Sequence, residues 1–251
     1  MAKVAVNCDP PAATLNAQRS TLNAQRSTLN SSTGKTALVT GGTVRIGKAI
    51  ADALRRAGWR VIVSSHREDA GADIVADLSE PLAPARLYSS ALAMAPDLCA
   101  IVNNAAIFDG PAELLEAVNL AAPRKLTTLL AGREGMVCSV VNILDSRTLG
   151  DAEEGDSQYV RTKRALLAET RRSACLFAQS LRVNAVAPGP VLPPEGKRVA
   201  GGEMLLDARP TPEDVGEAVA YLLGAKSVTG AVIPVDSGQH LCIRTTRCLS
   251  C

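Results

Sequence analysis

Short apolar runs alternate with helical stretches from Lys35 to Val235, and few folds accommodate that order. Residues 36–40 read as a buried strand, 44–57 as a helix closed by Gly58, and 60–64 as a second strand. Further strands are expected at 72–76, 98–103, 136–143, 182–187 and 231–235. Helices are expected at 113–130, from Tyr159 to about Phe177, and at 211–223, where Thr211 is an N-cap and Pro212 fits the first turn. Strand–helix alternation of this kind predicts one α/β domain with a parallel sheet of about seven strands and helices on both faces.

The 251 residues are enough to bury a full core. Lys and Arg number 27 against 25 Asp and Glu, a balance that argues against nucleic acid or an anionic membrane as partner. Hydrophobic residues make up 47%, yet no uninterrupted apolar run approaches the ~18 residues of a spanning helix. Aromatics are only 2%, so the core must rest on Ala, Val, Leu and Ile, and each aromatic stands out. The 7 cysteines are scattered and no secretory segment opens the chain, which sets a reducing cytoplasm as the expectation. Cys99 and Cys138 fall in apolar runs and read as small buried hydrophobes. Cys248 and Cys251 form a C-x-x-C without a second ligand pair, and no metal is expected.

Residues 1–33 stand apart. Thr14-Leu15-Asn16-Ala17-Gln18-Arg19-Ser20 recurs unchanged at 21–27, and a third copy begins at Thr28. So polar a repeat cannot bury enough apolar surface to offset ordering entropy, and disorder or a frayed helix is expected. Its Ser/Thr content and scarcity of acids also fit a transit peptide. The expected domain then spans 34–241, with 242–251 a tail.

Two motifs carry chemistry. The turn Thr40-Gly41-Gly42-Thr43-Val44-Arg45-Ile46-Gly47 follows the first strand and opens the first helix. Gly41 and Gly42 give a tight turn with close backbone approach, Gly47 lets helix pack on strand, and helix amides face a diphosphate. Downstream, Tyr159 and Lys163 lie four apart on one helix face. There an ammonium can favour the phenolate and bring a phenol of pKa near ~10 towards acid–base work.

Taken with Asp77, Asn103-Asn104-Ala105, Asn119 and Pro188-Gly189, these motifs resemble the short-chain dehydrogenase/reductase family over 35–241. The resemblance implies a Rossmann-type fold, a nicotinamide cofactor and assembly as a homodimer or homotetramer. It further implies that Gly41, Arg45, Ile46 and Gly47 hold the cofactor, that Asp77 faces the adenine, and that Asn104 and Ala105 line the cleft. Asn119 would fix a helix irregularity and a water of the proton relay. Pro188 and Gly189 would close over the nicotinamide, and Lys163 would hold its ribose.

The departures from the family pattern are informative. Arg45 replaces a usual glycine, and His66-Arg67 follows the second strand where an NAD enzyme carries an acid. Arg45 and Arg67 could grip a 2′-phosphate, which predicts NADPH. Glu68 sits beside that phosphate and is expected to point to solvent. Residues 66–71 are too short for the helix that family members place between the second and third strands. Ser237 stands where a second glycine is common.

Arg in the turn and His-Arg after the second strand resemble pteridine reductases, including the dihydromonapterin reductase type. Phe108 matches the aromatic that sandwiches a pterin against the nicotinamide. Val141-Asn142-Ile143-Leu144-Asp145 ends in Asp where most of the family has the catalytic Ser, although Ser146 lies at the usual spacing from Tyr159. Either is the third catalytic residue, and Asp145, which follows the strand motif without a gap, is favoured. The expectation is an NADPH-dependent reductase of a dihydropterin or dihydrofolate, with Phe108, Asp145 and Tyr159 at the substrate. The alternatives are a reductase of another carbonyl, such as a 3-oxoacyl thioester or small ketone, and a non-catalytic NADPH sensor. The short polar segment 191–209, the expected lid, favours a compact substrate.

Overall fold

A computed structural model of the chain describes residues 34–68, 71–151, 154–192 and 204–242. The N-terminal repeat, Cys248 and Cys251, and most of the expected lid lie outside the described residues. Seven parallel strands form one sheet in the order β3-β2-β1-β4-β5-β6-β7. They are β1 (Thr36–Thr40), β2 (Arg60–Ser65), β3 (Ile74–Val75), β4 (Leu98–Asn103), β5 (Cys138–Ile143), β6 (Leu181–Pro188) and β7 (Val232–Val235). The helices are α1 (Arg45–Arg56), α2 (Ala83–Met94), α3 (Ala112–Glu116), α4 (Ala122–Ala131), α5 (Gln158–Leu176) and α6 (Pro212–Gly224).

Strand periodicity builds two cores. Alternate residues point to opposite faces, so Leu38, Ile101, Val140 and Val183 pack with Leu87 of α2 and Leu126 and Leu130 of α4. Ala37, Val39, Val102 and Val141 pack on the other face with Ile50 and Leu54 of α1 and Val215 and Val219 of α6. Strands buried on both sides read as continuous apolar runs, which is how they were visible in the sequence. Leaving β1, the chain goes to β2 on one side and β4 on the other. That reversal opens a crevice at the strands' carboxyl ends.

The expected architecture holds, with local differences that have physical causes. The third strand is two residues rather than five, because the Asp73 carboxylate takes the Val63 N–H (2.8 Å) in place of a backbone partner. The fifth begins at Cys138 rather than 136, after a turn with Gly135 at φ 73°. The helix expected over 113–130 contains a π-turn at Ala117–Ala121, which is the irregularity expected at Asn119. Helix α2 was not anticipated; Ala83, Leu87 and Ala91 are its buried row at fourfold spacing, a signal muted by small side chains. No α-helix is present among the described residues between β2 and β3, where Glu68 is in a 3₁₀ conformation. At the far end Thr211 and Asp214 form a reciprocal capping box on α6.

Candidate active site

The crevice is fixed by the glycine turn. Gly41 (φ 61°) and Arg45 (φ 52°) both adopt the left-handed conformation, which is strained for Arg45. A Cβ on Gly47 would lie 2.0 Å from the Gly41 carbonyl oxygen and 2.6 Å from Asn104 Nδ2. The demand for glycine there comes from the turn closing on itself, not from helix–strand packing as expected. Asn104 Nδ2 donates to the carbonyls of Thr40 (2.9 Å) and Gly41 (3.0 Å), while Thr40 Oγ1 accepts from the amides of Asn104 (3.0 Å) and Ala105 (3.1 Å). These bonds tie the ends of β1 and β4 together.

A cleft of about 320 Å³ follows, lined by Gly41, Arg45, Ile46, Gly47, His66, Arg67, Asn104, Ala105, Phe108, Asp145, Tyr159, Lys163, Pro188 and Gly189. Thr43, Val44 and Ser65 line it too and were not singled out in the sequence, although the carboxyl ends of parallel strands always face such a crevice. Val44, at the N-cap of α1, makes no side-chain cap bond, and a helix N-terminus of this kind suits an anion. This backbone cradle, with Arg45, His66 and Arg67 beside it, fits a dinucleotide phosphate. Glu68 is exposed and is not among the lining residues. Asp77 is exposed near His66 and is not among the lining residues, and its carboxylate accepts from the Ser79 amide (2.9 Å).

Asn119 is fully buried in the π-turn rather than in the cleft. Its Oδ1 accepts from the Ile107 amide (3.0 Å), and Nδ2 donates to the Ile107 carbonyl (2.9 Å) and Thr162 Oγ1 (3.2 Å). It therefore fastens the loop carrying Phe108 to the helix carrying Tyr159.

Helix α5, capped by Ser157, brings Tyr159 and Lys163 under the end of β5. Both are buried, at 5% and 2% exposure. Lys163 Nζ donates to the Ile143 carbonyl (2.7 Å). Burial lowers its pKa from 10.5 to about 8, with Asp145 pulling the other way. The Tyr159 phenol is pushed far above its ordinary value, first by burial and then by the Asp145 charge, with a hydrogen bond to Asp145 adding to the rise and Arg147 opposing it. In this burial the phenol is held protonated, as a donor.

Asp145 caps the 3₁₀ turn Ser146–Leu149. Its Oδ1 accepts from Arg147 N (3.0 Å) and Nε (2.9 Å), and Oδ2 from Nη2 (2.9 Å). Ser146 is 2% exposed and does not line the cleft, so Asp145 is the residue the fold presents there. Phe108, 63% exposed, stacks on Tyr159 with ring centres 4.2 Å apart and planes at 19°. Arg164 secures this wall, donating to the carbonyls of Arg147 (3.0 Å), Gly150 (2.6 Å) and Asp151 (2.6 Å) and to Asp156 Oδ2 (2.8 Å).

Residues 43–240 match the family described as enoyl-(acyl carrier protein) reductase. The chain belongs to the short-chain dehydrogenase/reductase family. Among its short-chain relatives is the protein FixR of Bradyrhizobium diazoefficiens, 31% identical over 82% of this chain and 87% of that one. The cis-4-hydroxycyclohexanecarboxylate dehydrogenase of Sinomonas cyclohexanicum is 30% identical over 81% and 96%. Among solved structures, FolM alternative dihydrofolate reductase 1 of Brucella canis, complexed with NADP, is 31% identical and superposes with a TM-score of 0.70, covering 82% of this chain and 94% of that one. As a short-chain dehydrogenase/reductase the protein is an oxidoreductase. Among the described residues no helix is long and apolar enough to cross a membrane, and no group of His, Cys, Asp and Glu is placed to hold a metal ion.

Proposed function

We propose that the chain is an NADPH-dependent reductase in which Tyr159 donates the proton, acting on a compact pterin-like substrate such as a dihydropterin or dihydrofolate. The observation that carries the reaction class is a buried phenol, held protonated, in a dinucleotide cleft with Lys163 one helical turn along. When bound, NADPH supplies a hydride to a C=N or C=O carbon. Tyr159 passes its proton to the nitrogen or oxygen, and the Asp145 charge nearby keeps the hydroxyl protonated until then. Lys163, now on the Ile143 carbonyl, would hold the nicotinamide ribose. Arg45 and Arg67 hold the 2′-phosphate, and Pro188 and Gly189 back the nicotinamide. Preference for NADPH is supported by these two arginines and by the relative complexed with NADP.

The pterin reading is supported by the FolM likeness, by Asp145 rather than Ser146 facing the cleft, and by an exposed aromatic at the proton donor. A second reading, reduction of a small ketone or 3-oxoacyl thioester, is favoured by one observation. The Asp145 carboxylate, which a pterin amino group would need as acceptor, is already held by Arg147. NADPH oxidation followed at 340 nm with dihydrobiopterin, dihydrofolate, an acetoacetyl thioester and simple diketones separates them. Turnover with the first two supports the pterin reading, and turnover confined to the last two replaces it. No oxidation with any of the four rejects both.

A further inference from the structure

We propose that Arg147 sets substrate choice, by occupying the acceptor atoms of Asp145 and by presenting its own guanidinium as a donor beside Tyr159. The inference rests on the reading that Tyr159 faces the reducible group. A carboxylate has roughly four acceptor directions. At Asp145 two on Oδ1 go to Arg147 N and Nε and one on Oδ2 goes to Nη2, which leaves a single direction on Oδ2 beside Tyr159. A substrate that grips both carboxylate oxygens of Asp145 through an amino-bearing edge must therefore displace Arg147.

That displacement is resisted by the local chain. Donor and acceptor are two residues apart in one 3₁₀ turn that the Asp145 side chain itself caps, so the fork is positioned by backbone geometry. Thr148 Oγ1 donates to the Asp145 carbonyl (2.7 Å), and Arg164 holds the Arg147 carbonyl (3.0 Å). Meanwhile Arg147 Nη1 donates to no acceptor among the described residues, and the side chain is 49% exposed. Its guanidinium carbon stands 5.5 Å from the centre of the Tyr159 ring. The groups offered beside the proton donor are thus themselves donors. They suit a substrate with an acceptor oxygen next to the reducible carbon, as in an oxo acid or a 1,3-dicarbonyl. A planar amino-heterocycle grips both carboxylate oxygens only when Arg147 gives up Asp145.

Equilibrium binding to the protein saturated with NADP⁺ tests this without turnover, using acetoacetate as the acceptor-bearing probe and 2,4-diaminopyrimidine as the amino-bearing one. Arg147→Met is expected to weaken acetoacetate about tenfold or more, the size of a lost charge-assisted bond. It is also expected to tighten the diaminopyrimidine, with NADP⁺ affinity and melting temperature retained. Arg147→Lys, which keeps the charge without the fork, shifts the ratio of the two affinities less but in the same direction, and it decides the matter if the Met variant is poorly folded. A ratio unchanged in both variants, or no millimolar binding of either probe to wild type, overturns the proposal. Absence of turnover with the four substrates above rejects the functional reading separately, while the affinity ratio still reports on Arg147.

Discussion

The Lys163 ammonium is bonded to the Ile143 carbonyl at 2.7 Å and stands 5.9 Å from the centre of the Tyr159 ring. The spacing of these residues on one helix face had suggested a lysine that draws the phenol towards its anion. Both groups are also desolvated, and desolvation disfavours the charged form of each. The tyrosine is kept as an acid and the lysine is pulled towards neutrality, an arrangement suited to giving a proton away.

The lysine shift has a consequence for stability. Its folded pKa, about 8, lies below the unfolded value of 10.5, so between these pH values the unfolded chain binds more protons. The burial penalty is complete below about pH 8 and fades as pH rises to 10.5. Its size is on the order of 3 kcal/mol, offset by about 1 kcal/mol from the bond to Ile143. Lys163→Met should therefore melt higher than wild type at pH 7 without cofactor, and the difference should shrink by pH 10. Equal melting temperatures at pH 7 would show that the lysine is better solvated than its surroundings indicate.

Arg45 holds a left-handed backbone at φ 52°, a conformation that costs a non-glycine residue about 1–2 kcal/mol. Arg45→Gly should relieve that strain and lose the phosphate contact at once. The expected result is unchanged or higher thermal stability with NADPH affinity lowered about tenfold, while NADH affinity stays near wild type. A variant that binds both cofactors as wild type does would remove Arg45 from the phosphate site.

Asn119 satisfies both backbone groups of Ile107 from inside the π-turn. Asn119→Ala leaves those half-buried groups unpaired, which should cost about 2–3 kcal/mol over the two. Differential scanning calorimetry should show melting roughly 5–10 °C lower for a chain of this size. A loss under 2 °C would mean that the loop before Phe108 is held by other contacts.

Most of the sheet was legible because buried parallel strands are uninterrupted runs of Val, Ile, Leu and Ala, as in Ala37-Leu38-Val39. The cleft was legible for the same reason that it forms: Gly41, Gly47 and Asn104 are required by short backbone distances that few residues tolerate. Helix α2 was hidden because its buried row is mostly alanine and its mean hydropathy is unremarkable beside its neighbours. Ionisation was not legible, since four-residue spacing places Lys163 near Tyr159 without revealing that both are out of water. Arg147 escaped notice because Asp-x-Arg is common on surfaces. Only the 3₁₀ turn places that pair at the proton donor.

The central claim is that Tyr159 supplies the proton, and Tyr159→Phe tests it most directly. Single-turnover NADPH oxidation should fall by at least about a thousandfold with whichever substrate wild type reduces. The dissociation constant for NADPH, read by fluorescence, should stay within about twofold, because the phenyl ring still fills its place under Phe108. A variant that oxidises NADPH at a rate near wild type would contradict the account.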